Sequence, residues 1–127
     1  MGKITEVMKK EFIPYEQALT LKELGFDEPC FAFYTPEQQL IIARGDVLQS
    51  SIENAPTAPL CQQAFRWFRE KYGLDSNTIN TNMWNTFSFV INDIPNKNPI
   101  TTYLDFNTYE EAELECLKKL IEIVKNL

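Results

Sequence analysis

The chain has 127 residues, 44% hydrophobic and 24% charged, a balance that argues against disorder and is typical of one globular domain. Its formal net charge of −6 argues against binding to a nucleic-acid backbone or to anionic lipid, both of which need a basic surface. With no histidine anywhere, Ser-His-acid and Cys-His nucleophile arrangements and imidazole metal ligands are excluded.

The opening Met1-Gly2-Lys3-Ile4-Thr5-Glu6 holds no apolar run of signal-peptide length. No stretch approaches the ~18 apolar residues of a membrane span, and the chain reads as cytoplasmic. Pro14 stands where a first-turn proline is tolerated. Tyr15 to Leu24 then has helical spacing, with Ala18, Leu21 and Leu24 as a narrow stripe and Gly25 as a stop. Phe31-Ala32-Phe33-Tyr34 and Leu40-Ile41-Ile42-Ala43 are strand-like runs joined by Thr35-Pro36-Glu37-Gln38-Gln39, a hairpin connection. Gly45 to Thr57 is polar and irregular.

A second helix is expected from about Pro59 to Tyr72, ended by Gly73. Cys61, Ala64, Phe65, Phe68 and Tyr72 form its buried stripe, Trp67 lies to the side, and Arg66, Arg69 and Glu70 decorate the outer face. Asp75 to Asn85 reads as an Asn-rich loop carrying Met83 and Trp84. Phe87, Phe89 and Ile91 alternate with Ser88, Val90 and Asn92, as in a half-buried strand. After a turn at Pro95–Pro99, Ile100, Thr102, Leu104 and Phe106 alternate with Thr101, Tyr103 and Asp105. Thr108-Tyr109-Glu110-Glu111 is a capping box that opens a long amphipathic helix. Ala112, Cys116, Leu117, Leu120, Ile121 and Val124 face one way along it, and Glu115 with Lys119 is ordered as a supporting pair.

These elements predict a single α+β domain over residues 1–127, in the order α-β-β-α-β-β-α. The expected architecture is one four-stranded antiparallel sheet with its helices on one face. Phe31, Phe33, Phe87, Phe89, Ile91, Leu104 and Phe106 then belong to the core. The open face carries Ala32, Tyr34, Ser88, Val90, Thr101 and Tyr103.

Cys30, Cys61 and Cys116 are odd in number and far apart, each among apolar neighbours, and read as reduced thiols acting as small hydrophobes. Glu110, Glu111 and Glu113 crowd a helix N-terminus, which favours negative charge without any metal. Ser50-Ser51 lacks a lysine at helical spacing, and Asp93 with Asp105 is a carboxylate pair best explained as strand-end solvation. Gly25, Gly45 and Gly73 match no nucleotide-binding fingerprint. No catalytic, cofactor-binding or metal-binding residue is assigned, and no cofactor is expected.

Three stretches carry a resemblance. They are Glu11–Ala18 continuing into Lys22–Phe31, Gln63–Tyr72 with its Ala-Phe-Arg-Trp-Phe-Arg-Glu-Lys run, and Tyr109–Leu117. The chain resembles uncharacterised small proteins encoded in phage and prophage regions of Bacteroidetes, over most of its length. The resemblance implies an accessory product made inside a bacterial cell, and it brings no activity, cofactor or catalytic residue with it.

The resulting expectation is a non-enzymatic protein that acts by protein–protein contact, its partner a host or defence protein or a second copy of itself. The candidate interaction surface is Tyr34, Trp84, Val90, Thr101 and Tyr103, since aromatic anchors in neutral surroundings suit protein recognition. The alternative is a small-molecule binder or cryptic enzyme with an aromatic pocket between sheet and helices.

Overall fold

A computed structural model describes residues 6–81, 85–94, 98–101 and 105–127. The class is α+β, and internal contacts divide the chain into two units, one ending at Ala64 and the other beginning at Phe65. The boundary falls inside a helix. The described strands make two sheets, one of two strands and one of three, where a single four-stranded sheet was expected.

The first unit contains α1 (Glu6–Lys9), α2 (Tyr15–Glu23), β1 (Cys30–Tyr34), β2 (Leu40–Val47), a 3-10 turn at Gln49–Ser51 and the start of α3 (Cys61–Tyr72). Helix α2 stops as its sequence predicts. Gly25 adopts φ 94°, its N–H bonds to the Lys22 carbonyl, and the Phe26 N–H reaches back to Leu21 at 2.9 Å. That double bond is a Schellman cap, and the Leu21 and Phe26 side chains that accompany it are both buried.

Strands β1 and β2 form the expected antiparallel hairpin, with Tyr34 opposite Leu40 and Phe33 opposite Ile41. The connection is tied by Gln38 N–H to Thr35 C=O at 2.8 Å and by Thr35 N–H to Gln39 C=O at 2.9 Å. Gln38 takes φ 68°, a left-handed conformation that glycine adopts without a Cβ penalty. Register breaks between Cys30 and Ala32, where Arg44, Gly45 and Asp46 stand exposed on β2.

The face of β1 differs from expectation. Cys30, Ala32 and Tyr34 are buried, whereas Phe31 is 56% exposed and Phe33 half-buried. A strand shows its two faces with period two, so the assignment of the whole strand is inverted. On the other edge of β1, Ala55-Pro56-Thr57-Ala58-Pro59 runs as a buried segment. Tyr34 N–H bonds to the Pro56 carbonyl, Ala58 N–H to the Ala32 carbonyl, and Phe33 makes a bridge to Thr57. The Tyr34 hydroxyl donates to the Ile13 carbonyl at 2.6 Å, and its ring meets Tyr15 edge-on at 5.4 Å.

Gln49 fastens the same segment. Its Nε2 donates to the Ala55 carbonyl at 2.8 Å while its Oε1 accepts from Thr57 N–H at 2.8 Å. Ile13 N–H to Pro59 C=O and Cys61 N–H to Glu11 C=O then pair residues 11–13 with 59–61.

The second unit contains the rest of α3, β3 (Leu74–Asn80), β4 (Phe87–Asp93), β5 (Asn98–Thr101) and α4 (Tyr109–Lys125). Gly73 at φ 68° ends α3 as expected. The buried stripe of α3 includes Trp67, which helical spacing had put to one side, together with Ala64 and Phe68. Trp67 packs edge-on against Phe68 and Tyr72, with the Lys71 ammonium 5.0 Å from its ring centre.

Strand β3 occupies what reads as an Asn-rich loop. It pairs with β4 through seven consecutive positions from Leu74–Asp93 to Asn80–Phe87, and β5 pairs with β4 on its other side. Helix α4 packs on β4 and β3, which buries Phe89 and Ile91 as predicted. Phe87 is half-buried, and Phe106 joins it through an isolated bridge. The predicted core residue Leu104 lies outside the described residues.

The Thr108 side chain caps α4 by accepting from Glu111 N–H at 3.1 Å. The buried stripe is the expected one with Glu113 added. The surface pairs are Glu115 with Lys118 and Lys119 with Glu122, both three residues apart, in place of the expected Glu115–Lys119 pair.

Two substitutions test this account by urea unfolding. Gln49→Ala leaves the buried Thr57 N–H and Ala55 C=O unpaired and is expected to destabilise by about 2–4 kcal/mol. Gln38→Gly relieves the left-handed strain and is expected to stabilise by up to about 1 kcal/mol.

Candidate interaction surface

In the second sheet, β4 places Val90 at the centre of a row across three strands. Val90 pairs with Asn77 of β3 and with Thr101 of β5. The phase of pairing separates two faces. Ser76, Thr78, Phe89 and Ile91 share the face under α4, where Ser76 hydrogen-bonds the Cys116 thiol. Asp75, Asn77, Ile79, Ser88, Val90 and Asn92 belong to the opposite face.

On that face Asn77 is exposed, Ile79 is 40% exposed, Val90 is half-buried and Ser88 is buried. At its α3 end Asp75 meets the Arg69 guanidinium at 3.9 Å, a solvent-exposed pair of small energetic weight.

Of the five residues assigned to an interaction surface by sequence, the structure brings Val90 and Thr101 side by side in register. Tyr34 is corrected: it is buried, and its hydroxyl is committed to Ile13. Trp84 and Tyr103 lie outside the described residues.

The residue missed by sequence reasoning is Phe31. It lies on the outward face of β1 with half-buried Phe33 two positions on, and Phe33 is paired with half-buried Ile41. The signal was available in the small side chains of Cys30 and Ala32, which suit a face closely approached by other backbone. Phe at both alternate positions outweighed it.

Beside the hairpin an open cleft of about 500 Å³ is lined by Lys9, Tyr34, Gln38, Gln39, Leu40 and Ile41. Its lining is one lysine, two glutamine amides, two aliphatic side chains and a single aromatic ring, unlike the Phe- and Tyr-lined pocket anticipated between sheet and helices. Among the described residues no group of three or more Cys, Asp and Glu is placed to hold a metal ion. No described helix is long and apolar enough to cross a membrane.

Two of the thiols are chemically quiet. Burial pushes Cys30 from 9.0 up to about 11, opposed by a hydrogen bond with Thr57 and assisted by the nearby Glu28 carboxylate. Burial pushes Cys116 up to about 12, opposed by the bond with Ser76 and assisted by Glu113. A thiol attacks as the thiolate, so neither is an activated nucleophile at neutral pH. Cys61 is half-buried, with Sγ 3.8 Å from the Lys10 carbonyl. Burial, together with the proximity of Cys61, also raises the Tyr34 phenol from 10.0 to about 12.

No protein-family model, curated protein or solved structure matches this chain.

Two measurements follow from the buried groups. Cys30, Cys116 and Tyr34 all hold their protons to higher pH in the folded chain than in the unfolded one. Their contribution to stability is complete below pH 9 and is lost as pH rises from 9 towards 12. Urea midpoints measured from pH 7 to 11 are expected to stay level from these groups and then fall above 9. An aromatic disulfide reagent is expected to label Cys61 promptly and the other two thiols only as the protein unfolds.

Proposed function

We propose that this protein is a non-enzymatic interaction module of the bacterial cytoplasm, an accessory product of phage or prophage that binds and sequesters a host or defence protein. The observation that supports this reading is Phe31. A phenylalanine in the middle of a strand, 56% exposed while its neighbours Cys30 and Ala32 are almost fully buried, is costly to leave in water and suits a partner that covers it.

Val90 and Thr101, in register on the second sheet, retain their place as candidate contacts, as do Trp84 and Tyr103. The resemblance of Glu11–Ala18 with Lys22–Phe31, Gln63–Tyr72 and Tyr109–Leu117 to small phage and prophage proteins is what suggests the cellular setting.

The cleft beside the hairpin supports a second reading, a small-molecule site. Its two glutamine amides and the aliphatic pair Leu40 and Ile41 would suit a compact, partly apolar ligand.

The test is capture of the tagged protein from a Bacteroidetes lysate, run in parallel with Phe31→Ser and with Trp84→Ala/Tyr103→Ala. One protein recovered by the wild type and lost with Phe31→Ser, at unchanged melting temperature, is the expected result. Equal recovery by all three would remove Phe31 and the two aromatics from the surface. A small molecule seen by native mass spectrometry and lost on Leu40→Asp would favour the cleft.

A further inference from the structure

Open sheet edges present unpaired N–H and C=O groups, and proteins ordinarily block them with charge, proline, bulges or brevity. Three edges can be compared. Strand β2 is interrupted by the bulge opposite Phe31, with exposed Arg44 and Asp46 beside it. Strand β5 has only four residues, and Pro99 is one of them. Strand β3 has none of these devices. It is seven residues long, unbroken in register, free of proline and lysine, and its one charge, Asp75, is paired with Arg69. No described strand pairs with its outer side.

Which groups of β3 face outward follows from the ends of its ladder with β4. Ile94 N–H bonds to the Gly73 carbonyl and Thr81 N–H to the Thr86 carbonyl. Antiparallel pairs alternate between bonded and non-bonded, so Asp75, Asn77 and Ile79 bond to β4. Ser76 and Thr78 therefore direct their backbone N–H and C=O away from β4.

The edge is complementary to itself. An antiparallel pairing of two β3 strands about a two-fold axis at Asn77 sets Ser76 of one chain opposite Thr78 of the other, twice. The outward groups of both residues then meet in hydrogen-bonded pairs. Asp75 falls opposite Ile79, so no like charges oppose each other, and the two Asn77 side chains meet on the axis. We propose that a second copy of this chain pairs here, β3 to β3, to make a continuous six-stranded antiparallel sheet in a two-fold dimer. This inference is independent of the host-partner reading, because it rests on the sheet edge alone and is tested on the purified protein.

Sedimentation of the purified full chain up to millimolar concentration is expected to show a dimer. Thr78→Pro removes an N–H that β4 does not use and is expected to give a folded monomer, with its fold checked by circular dichroism and thermal unfolding. Independently, Asn77→Cys should cross-link on mild oxidation, since Cα atoms in a non-bonded pair lie about 4.5 Å apart, within disulfide reach. Ile79→Cys should not, because the two copies of that residue would be about 14 Å apart along the strands. Oxidised wild type controls for the native thiols. A monomeric wild type would overturn the proposal, and so would a dimer that survives Thr78→Pro or fails to cross-link through Asn77→Cys. A foreign strand captured on β3 with no self-association would also overturn it.

Discussion

In the first unit, much depends on how the segment Ala55–Pro59 is held. It is buried, yet two of its five residues are prolines with no N–H to give, so its backbone can be satisfied only through a restricted set of bonds. Carbonyls of Pro56 and Pro59 accept from Tyr34 and Ile13, the Ala58 N–H goes to Ala32, and the Gln49 amide pairs with the Thr57 N–H and the Ala55 carbonyl. This arrangement makes β1 an interior strand, bonded on both edges. With β1 so placed, its small-residue face turns inward, the Tyr34 hydroxyl finds a carbonyl, and Phe31 is left to solvent.

The second unit is organised by a different means. Its three strands keep a regular register, and α4 covers one face with a buried stripe from Ala112 to Val124 that is apolar except for Glu113. On the opposite face Asn77 and Ile79 are exposed, and the outer edge of β3 is paired with no described strand. The two units thus offer different kinds of surface: an apolar side chain in the first, and backbone hydrogen-bonding groups in the second. The former suits a partner with a pocket for a ring. The latter suits an added strand.

The chemistry of the interior is conservative. Cys30, Cys116 and Tyr34 are pushed towards their neutral forms by burial, each with a hydrogen bond to a neighbour. No buried side-chain nitrogen or oxygen among the described residues lacks a partner. In this core the buried polar side-chain atoms are paired and the two buried thiols stay protonated at neutral pH. Its limit is alkaline pH, where the unfolded chain ionises first.

Much of the helical framework was legible in the sequence because helix signals are local. Thr108 caps α4 through a residue three positions away, Gly25 and Gly73 end α2 and α3 by a backbone angle that favours glycine, and the α4 stripe repeats within a few turns. The alternation in β4 also identified Phe89 and Ile91 as core. Strand β3 was illegible, since Leu-Asp-Ser-Asn-Thr-Ile-Asn has too few apolar residues to show a period, and its extension comes from pairing with β4. The inward face of β1 was equally hidden, because Tyr34 on it meets Ile13 and Tyr15, about twenty residues earlier in the chain. Of the candidate surface, Val90 and Thr101 prove to be paired in register, and Phe31, which the sequence placed inside, is exposed. By itself, then, the sequence determined where helices begin, end and turn their apolar sides, through contacts within one or two turns. Only the tertiary structure decided how the strands divide into two sheets and which side of β1 meets water, because those depend on hydrogen bonds between segments far apart in the chain.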